Sequence, residues 1–138
     1  MTFKYQKPFP ILKDDTNYKL LTKDFVSTIK VDSREILKVE PEGLELLAKQ
    51  AFTDVSFYLR TAHLEKLVKI LEDPEATDND RFVAHTMLMN QAVSAEGELP
   101  TCQDTGTAIA IGKKGENVFT GVNDAKHLSK GIYDTYHE

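Results

Sequence analysis

Cys102, Gln103, Asp104 and Thr105 set a thiol, an amide, a carboxylate and a hydroxyl in consecutive positions. Ionised, the thiol is a nucleophile or a metal ligand. The carboxylate can accept or donate a proton, and the amide can hydrogen-bond a polar ligand. Pro100 and Gly106 punctuate the segment and no helical stripe runs through it, so residues 98–106 read as a loop between a helix and a hairpin. Loops held on a scaffold are where function concentrates. Two plainer explanations stand beside these. A lone cysteine is more often a small buried apolar side chain than a reactive one. Asp104-Thr105-Gly106 can be a simple turn in which Asp104 bonds its own backbone. The residues by themselves leave the choice open.

The other chemistry-bearing residues point nowhere else. His63, His85, His127 and His137 are scattered, with no His-Glu-x-x-His pair. His63 and His85 fall on helical stretches as surface or boundary residues. Lys113-Lys114 reads as a solvated hairpin tip rather than an anion site. Gly112 and Gly115 lack the following Gly-Lys-Ser/Thr of a phosphate-cradling loop. Met87 and Met89 read as core or boundary residues. Arg60 reads as the close of the first helix, where a cation complements the dipole; Arg34 and Arg81 are the other arginines.

The loop must be positioned by the elements around it. Residues 1–40 read as an extended and strand segment. Pro8 and Pro10 favour extended or turn backbone, and Asp14-Asp15-Thr16-Asn17 is turn chemistry. Residues 25–31 and 35–39 are rich in β-branched side chains and pair as strands around Asp32-Ser33-Arg34. Residues 41–97 hold three helices. The first opens on Pro41 with Glu42 in its first turn, and carries Leu44, Leu47, Ala48, Ala51, Phe52 and Val55 on one face. The second starts near Thr61, carries Leu64, Leu67, Val68 and Leu71, and ends at Asp73-Pro74. The third opens on the capping-box-like Thr77-Asp78-Asn79-Asp80, presents Val83, Ala84, Met87, Leu88 and Ala92, and stops at Gly97. Residues 107–121 read as a β-hairpin with a basic tip, the strands being 107–111 and 117–120. Residues 123–138 read as a final helix with Ala125, Leu128, Ile132 and Tyr136 on its apolar side. Gly131 inside that helix costs about 1 kcal/mol relative to Ala. The fold class is α+β, as part of a larger N-terminal domain.

Composition narrows the function class. The chain has 138 residues, 41% of them hydrophobic, which is enough for a core and excludes a disordered chain. The formal net charge of −5 repels phosphate backbones, so the chain is not expected to bind nucleic acid. It also repels a dicarboxylate, so any anion site needs local positive charge or a metal. The single cysteine forbids an internal disulfide and suits a reducing compartment. No apolar run approaches the roughly 20 residues that span a membrane, and the first residues lack the apolar segment of a secretory signal. The expectation is a cytoplasmic chain.

The loop also resembles a known family. Residues 99–108, Leu-Pro-Thr-Cys-Gln-Asp-Thr-Gly-Thr-Ala, resemble the cluster-binding loop of class I (iron–sulfur) fumarate hydratases. Residues 112–115 and 131–136 match the same family, as do Pro8-Phe9-Pro10, residues 13–16, 46–52 and 71–76. The likeness runs from about Tyr5 onward and is greatest to the bacterial single-chain form. It implies a hydro-lyase that reversibly hydrates fumarate to L-malate. Family members bind a 4Fe-4S cluster through three cysteines, leaving one iron open to act as a Lewis acid on the substrate. The active enzymes are homodimers. Carried over by position, Cys102 matches a cluster thiolate, Gln103 a residue that hydrogen-bonds substrate, and Asp104 a carboxylate beside substrate that can transfer a proton. The resemblance makes the chain the N-terminal cluster-binding portion of such an enzyme, residues 1–138 being only part of that domain. One cysteine is present where the family uses three, and the substrate-binding arginines of later segments are missing, so the isolated chain is expected to be inactive. The helical pattern still running at Glu138 leads us to expect a natural chain that continues. Two alternatives stay open: an L-tartrate dehydratase or related dicarboxylate hydratase, which shares the loop, and a non-catalytic association module.

Overall fold

The computed structural model describes residues 2–6, 17–102 and 107–137. The expected extended segment at Pro8 and Pro10 and most of the Asp14-Asp15-Thr16-Asn17 turn lie outside the described residues. Strands β1 (Val26–Val31) and β2 (Arg34–Val39) form the expected antiparallel pair, with Val26 opposite Val39 and Val31 opposite Arg34. Arg34 therefore belongs to the strand, and the loop is Asp32-Ser33. Asp32 takes a φ of +54°, a left-handed conformation that Asp tolerates better than most residues because its short polar side chain bonds locally.

Among the described residues four helices follow the hairpin: α1 (Pro41–Phe57), α2 (Thr61–Glu72), α3 (Asp78–Ser94) and α4 (Asp124–His137). Pro41 occupies the first turn of α1, as its fixed φ favours. Arg60 does not close α1. It sits at the N-cap of α2, after an extended Tyr58 has already ended α1. α2 stops at Asp73, ahead of Pro74. At α3 the capping box is complete: Thr77 Oγ1 accepts from Asp80 N at 3.2 Å, and Asp80 Oδ2 accepts from Thr77 N at 2.9 Å. The Thr77 hydroxyl, which donates to Asp80 Oδ2 at 2.7 Å, and then the Thr77 N–H hold the Asp80 carboxyl below its ordinary range. Gly97 takes φ +84° and donates its N–H to Ser94 O at 2.9 Å, the C-terminal stop its position implies.

The expected hairpin over residues 107–121 does not form. Residues 107–111 carry no strand, and only β3 (Val118–Phe119) is extended and paired. β3 adds in parallel to β2, with Leu37 opposite Val118 and Lys38 opposite Phe119, giving the sheet order β1-β2-β3. A parallel pair needs a long crossover, here supplied by α1 to α3. The basic tip also differs from expectation. Lys114 folds back onto Asp124, its Nζ 2.6 Å from Oδ2.

α4 packs on α1, and α2 on α3. The α1–α4 seam uses His127, Gly131 and Thr135, which recur every four residues on α4. His127 Nδ1 lies 2.7 Å from Glu45 Oε1, and Thr135 Oγ1 donates to Lys49 O at 3.1 Å. The expected apolar face was a neighbouring one: Leu128 and Ile132 are half-buried, whereas Ala125 and Tyr136 are exposed. The reason is Gly131, which lets the helices approach closely. A methyl there would overlap the Glu45 carbonyl oxygen and stand 2.9 Å from Ala48 Cβ.

The core is thin. Ala48, Leu67 and Ala84 are the buried apolar residues among those described. Leu47, Ala51 and Val55, half of the expected α1 face, are exposed, as are Val83, Met87 and Met89 of α3.

Candidate functional site

Cys102 follows Thr101, and Thr101 is held at three points. Its N–H donates to Ser56 O at 2.7 Å, at the end of α1. Its carbonyl accepts from Asn90 Nδ2 at 2.8 Å, and its hydroxyl lies 2.8 Å from Ser94 Oγ. Every polar group that Thr101 owns is thus tied, by α1 on one side and by the last turns of α3 on the other.

The α3 residues that do this are themselves locked. Ser94 is 1% exposed and donates to Phe57 O at 2.9 Å. A hydroxyl has one proton, so the proton between Ser94 and Thr101 is Thr101's: Thr101 Oγ1 donates and Ser94 Oγ accepts. Gln91 is 7% exposed. Its Nε2 donates to Phe57 O at 2.8 Å and its Oε1 accepts from Leu59 N at 3.0 Å. Both ends of the amide are satisfied in one orientation, and the backbone leaving α1 gains partners it would otherwise lack. No buried side-chain nitrogen or oxygen among the described residues is without a partner.

Cys102 itself is exposed. Gln103 and Asp104, the other expected site residues, lie outside the described residues, as do Thr105 and Gly106. No group of three or more His, Cys, Asp or Glu among the described residues could hold a metal ion. His63 and His85 are exposed on their helices, as the sequence implies. His127 is engaged by Glu45, and the His137 ring stacks on Tyr133 at a centroid distance of 3.8 Å.

A second polar knot fixes the chain after the loop. Thr120, 6% exposed, donates to Asp124 Oδ1 at 2.5 Å, and Lys114 Nζ reaches both Thr120 Oγ1 and Asp124 Oδ2. The Lys114 ammonium, then the Thr120 hydroxyl, hold the Asp124 carboxyl below its ordinary range.

Sequence reasoning missed Asn90, Gln91, Ser94 and Thr101 as a unit. The available signal was position: Gln91 falls a helical step beyond Ala84 and Leu88, on the side that buries Ala84. A polar residue on a buried stripe needs a partner.

The chain's likeness to known proteins agrees with the loop. Residues 45–138 match the family model described as fumarate hydratase (Fumerase). The chain is 58% identical over 136 residues to the anaerobic class I fumarate hydratase of Escherichia coli K12, covering 99% of this chain and 25% of that protein. It is 56% identical to the aerobic class I enzyme of the same strain over the same shares of each chain. Fumarate hydratase 2 of Leishmania major is 52% identical over 112 residues, 81% of this chain and 20% of that protein. The chain therefore spans about a quarter of the length of these bacterial relatives. On the match over residues 45–138, the chain belongs to the fumarate hydratase (Fumerase) family.

Proposed function

We propose that this chain is part of a class I fumarate hydratase, a cytoplasmic, homodimeric hydro-lyase that reversibly adds water to fumarate to give L-malate. Cys102 supplies one thiolate to a 4Fe-4S cluster. The observation that carries the reading is an exposed thiol on a backbone whose preceding residue is held at its N–H, carbonyl and hydroxyl.

The donor set fits one corner of such a cluster. A thiolate is the usual donor to iron–sulfur centres, and an exposed one can be reached. Cys102 is the single cysteine of the 138 residues, so these residues supply one of the three thiolates such a cluster takes. When bound, the cluster supplies a Lewis acid that polarises the substrate's hydroxyl and carboxylate oxygens. That also answers the charge problem, since a chain of net charge −5 draws no dianion by its overall field.

The rest falls to this chain's own residues. Gln103 hydrogen-bonds the substrate and helps orient it. Asp104, beside the substrate, moves the proton that is gained or lost at carbon as water adds or leaves.

Turnover tests the reading. The intact polypeptide, reconstituted anaerobically with iron and sulfide, is assayed with fumarate, mesaconate and L-tartrate. Hydration of fumarate at the highest kcat/KM is the expected result. Preference for L-tartrate would instead assign the chain to the sister dehydratases.

A further inference from the structure

We propose that Thr101 is a positioning residue, gripped by Asn90 and Ser94, that fixes where the Cys102 sulfur meets the cluster; this rests on the ligand reading of Cys102 above. The direction from which a thiolate reaches a metal is set by the backbone carrying it and by one side-chain torsion. Losing a group that orients a metal ligand commonly costs about 10–100-fold in metal affinity. Here the backbone one step before the ligand is bound at every polar group. The three partners come from two helices: Ser56 O from α1, and Asn90 Nδ2 and Ser94 Oγ from α3.

Two features set this apart from an ordinary loop anchor. Ser94 is 1% exposed, and its proton is committed to Phe57 O, so it can only accept from Thr101. The Thr101 hydroxyl is therefore oriented as well as placed. Asn90, by contrast, is exposed, and its amide donates to Thr101 O at 2.8 Å. It is a surface side chain whose one described bond goes to the loop.

That asymmetry makes the inference testable without unfolding the protein. Thr101→Val keeps the size of the side chain and removes only its hydroxyl. Ser94 retains its own bond to Phe57, so no buried donor is orphaned. Thr101→Ser restores the hydroxyl. Asn90→Ala loosens the carbonyl from the other side at an exposed position. The intact polypeptide and these variants, with Cys102→Ala beside them, are reconstituted with iron and sulfide. Three quantities are read: iron per chain, the rate at which iron is lost to a chelator, and the thermal midpoint.

The expected result is a Cys102→Ala protein without its cluster, and Thr101→Val and Asn90→Ala proteins that load but lose iron about 10-fold faster or more, with near-parental midpoints. Thr101→Ser should return to the parental rate. Parental iron retention in both Thr101→Val and Asn90→Ala, with Cys102→Ala empty, would overturn the positioning role and leave the ligand reading standing. So would iron loss that merely tracks the thermal midpoint and is not rescued by Thr101→Ser. A cluster retained in Cys102→Ala would overturn the ligand reading itself.

Discussion

Gly131 of α4 lies directly against the Glu45 carbonyl of α1, closer than any side chain permits. A mid-helix glycine costs about 1 kcal/mol relative to Ala, so Gly131→Ala would ordinarily stabilise the chain. Here the added methyl meets backbone, which cannot swing aside, and overpacking costs about 1–3 kcal/mol. We expect Gly131→Ala to lower the thermal midpoint. A raised midpoint in thermal unfolding would show that α1 and α4 do not pack this closely.

Gln91 predicts a larger loss than its modest chemistry suggests. Gln91→Leu keeps much of the volume but strips partners from Leu59 N and Phe57 O. Leaving buried backbone groups unpaired costs about 1–3 kcal/mol. Phe57 O keeps its bond from Ser94, so the loss falls chiefly on Leu59 N. Chemical denaturation of parent and variant measures the difference, and equal midpoints would contradict the account.

These two residues also show where the sequence was legible. Local signals were reliable: Pro41 at the head of α1, the Thr77–Asp80 capping box, Asp73-Pro74 after α2 and Gly97 after α3 each mark a boundary that the structure keeps. What failed was non-local. Residues 107–111 and 117–120 carry a strand-like composition, but only Val118–Phe119 pairs, and its partner is β2, far back in the chain; parallel pairing leaves no turn signature between partners. Gly131 read as a cost because a sequence does not show the carbonyl facing it. For the candidate site, the sequence singles out Cys102 by its loop and its family resemblance. The groups that hold its neighbour Thr101 were not legible, because Gln91 and Ser94 owe their meaning to backbone at the end of α1 and just after it.

The Lys114–Thr120–Asp124 knot predicts an acid response. Lys114 and Thr120 hold the Asp124 carboxyl below its ordinary value of 3.8. A carboxyl depressed in the folded state contributes stability that is complete above its unfolded pKa and is lost as pH falls through the folded value. Asp124→Asn should therefore unfold with a weaker pH dependence than the parent below about pH 4. Asp80, held low by Thr77, should respond in the same direction, and a double variant should flatten the profile further. An unchanged acid limb in thermal scans would show that the pairing does not persist in solution.

At the head of α3, Thr77→Ala removes one half of a complete capping box. Such caps contribute about 0.5–2 kcal/mol. The helical signal in circular dichroism should melt earlier, and Thr77→Ser should recover most of the loss. Failure of Thr77→Ser to recover stability would assign the effect to packing rather than to the hydroxyl.

The most direct test of the central claim is the iron and acid-labile sulfide content of the intact polypeptide carrying Cys102→Ala, compared with its parent after identical anaerobic reconstitution. Loss of both, together with loss of fumarate hydration, is the predicted result. Parental iron and sulfide in the variant would contradict the assignment of Cys102 as a cluster ligand.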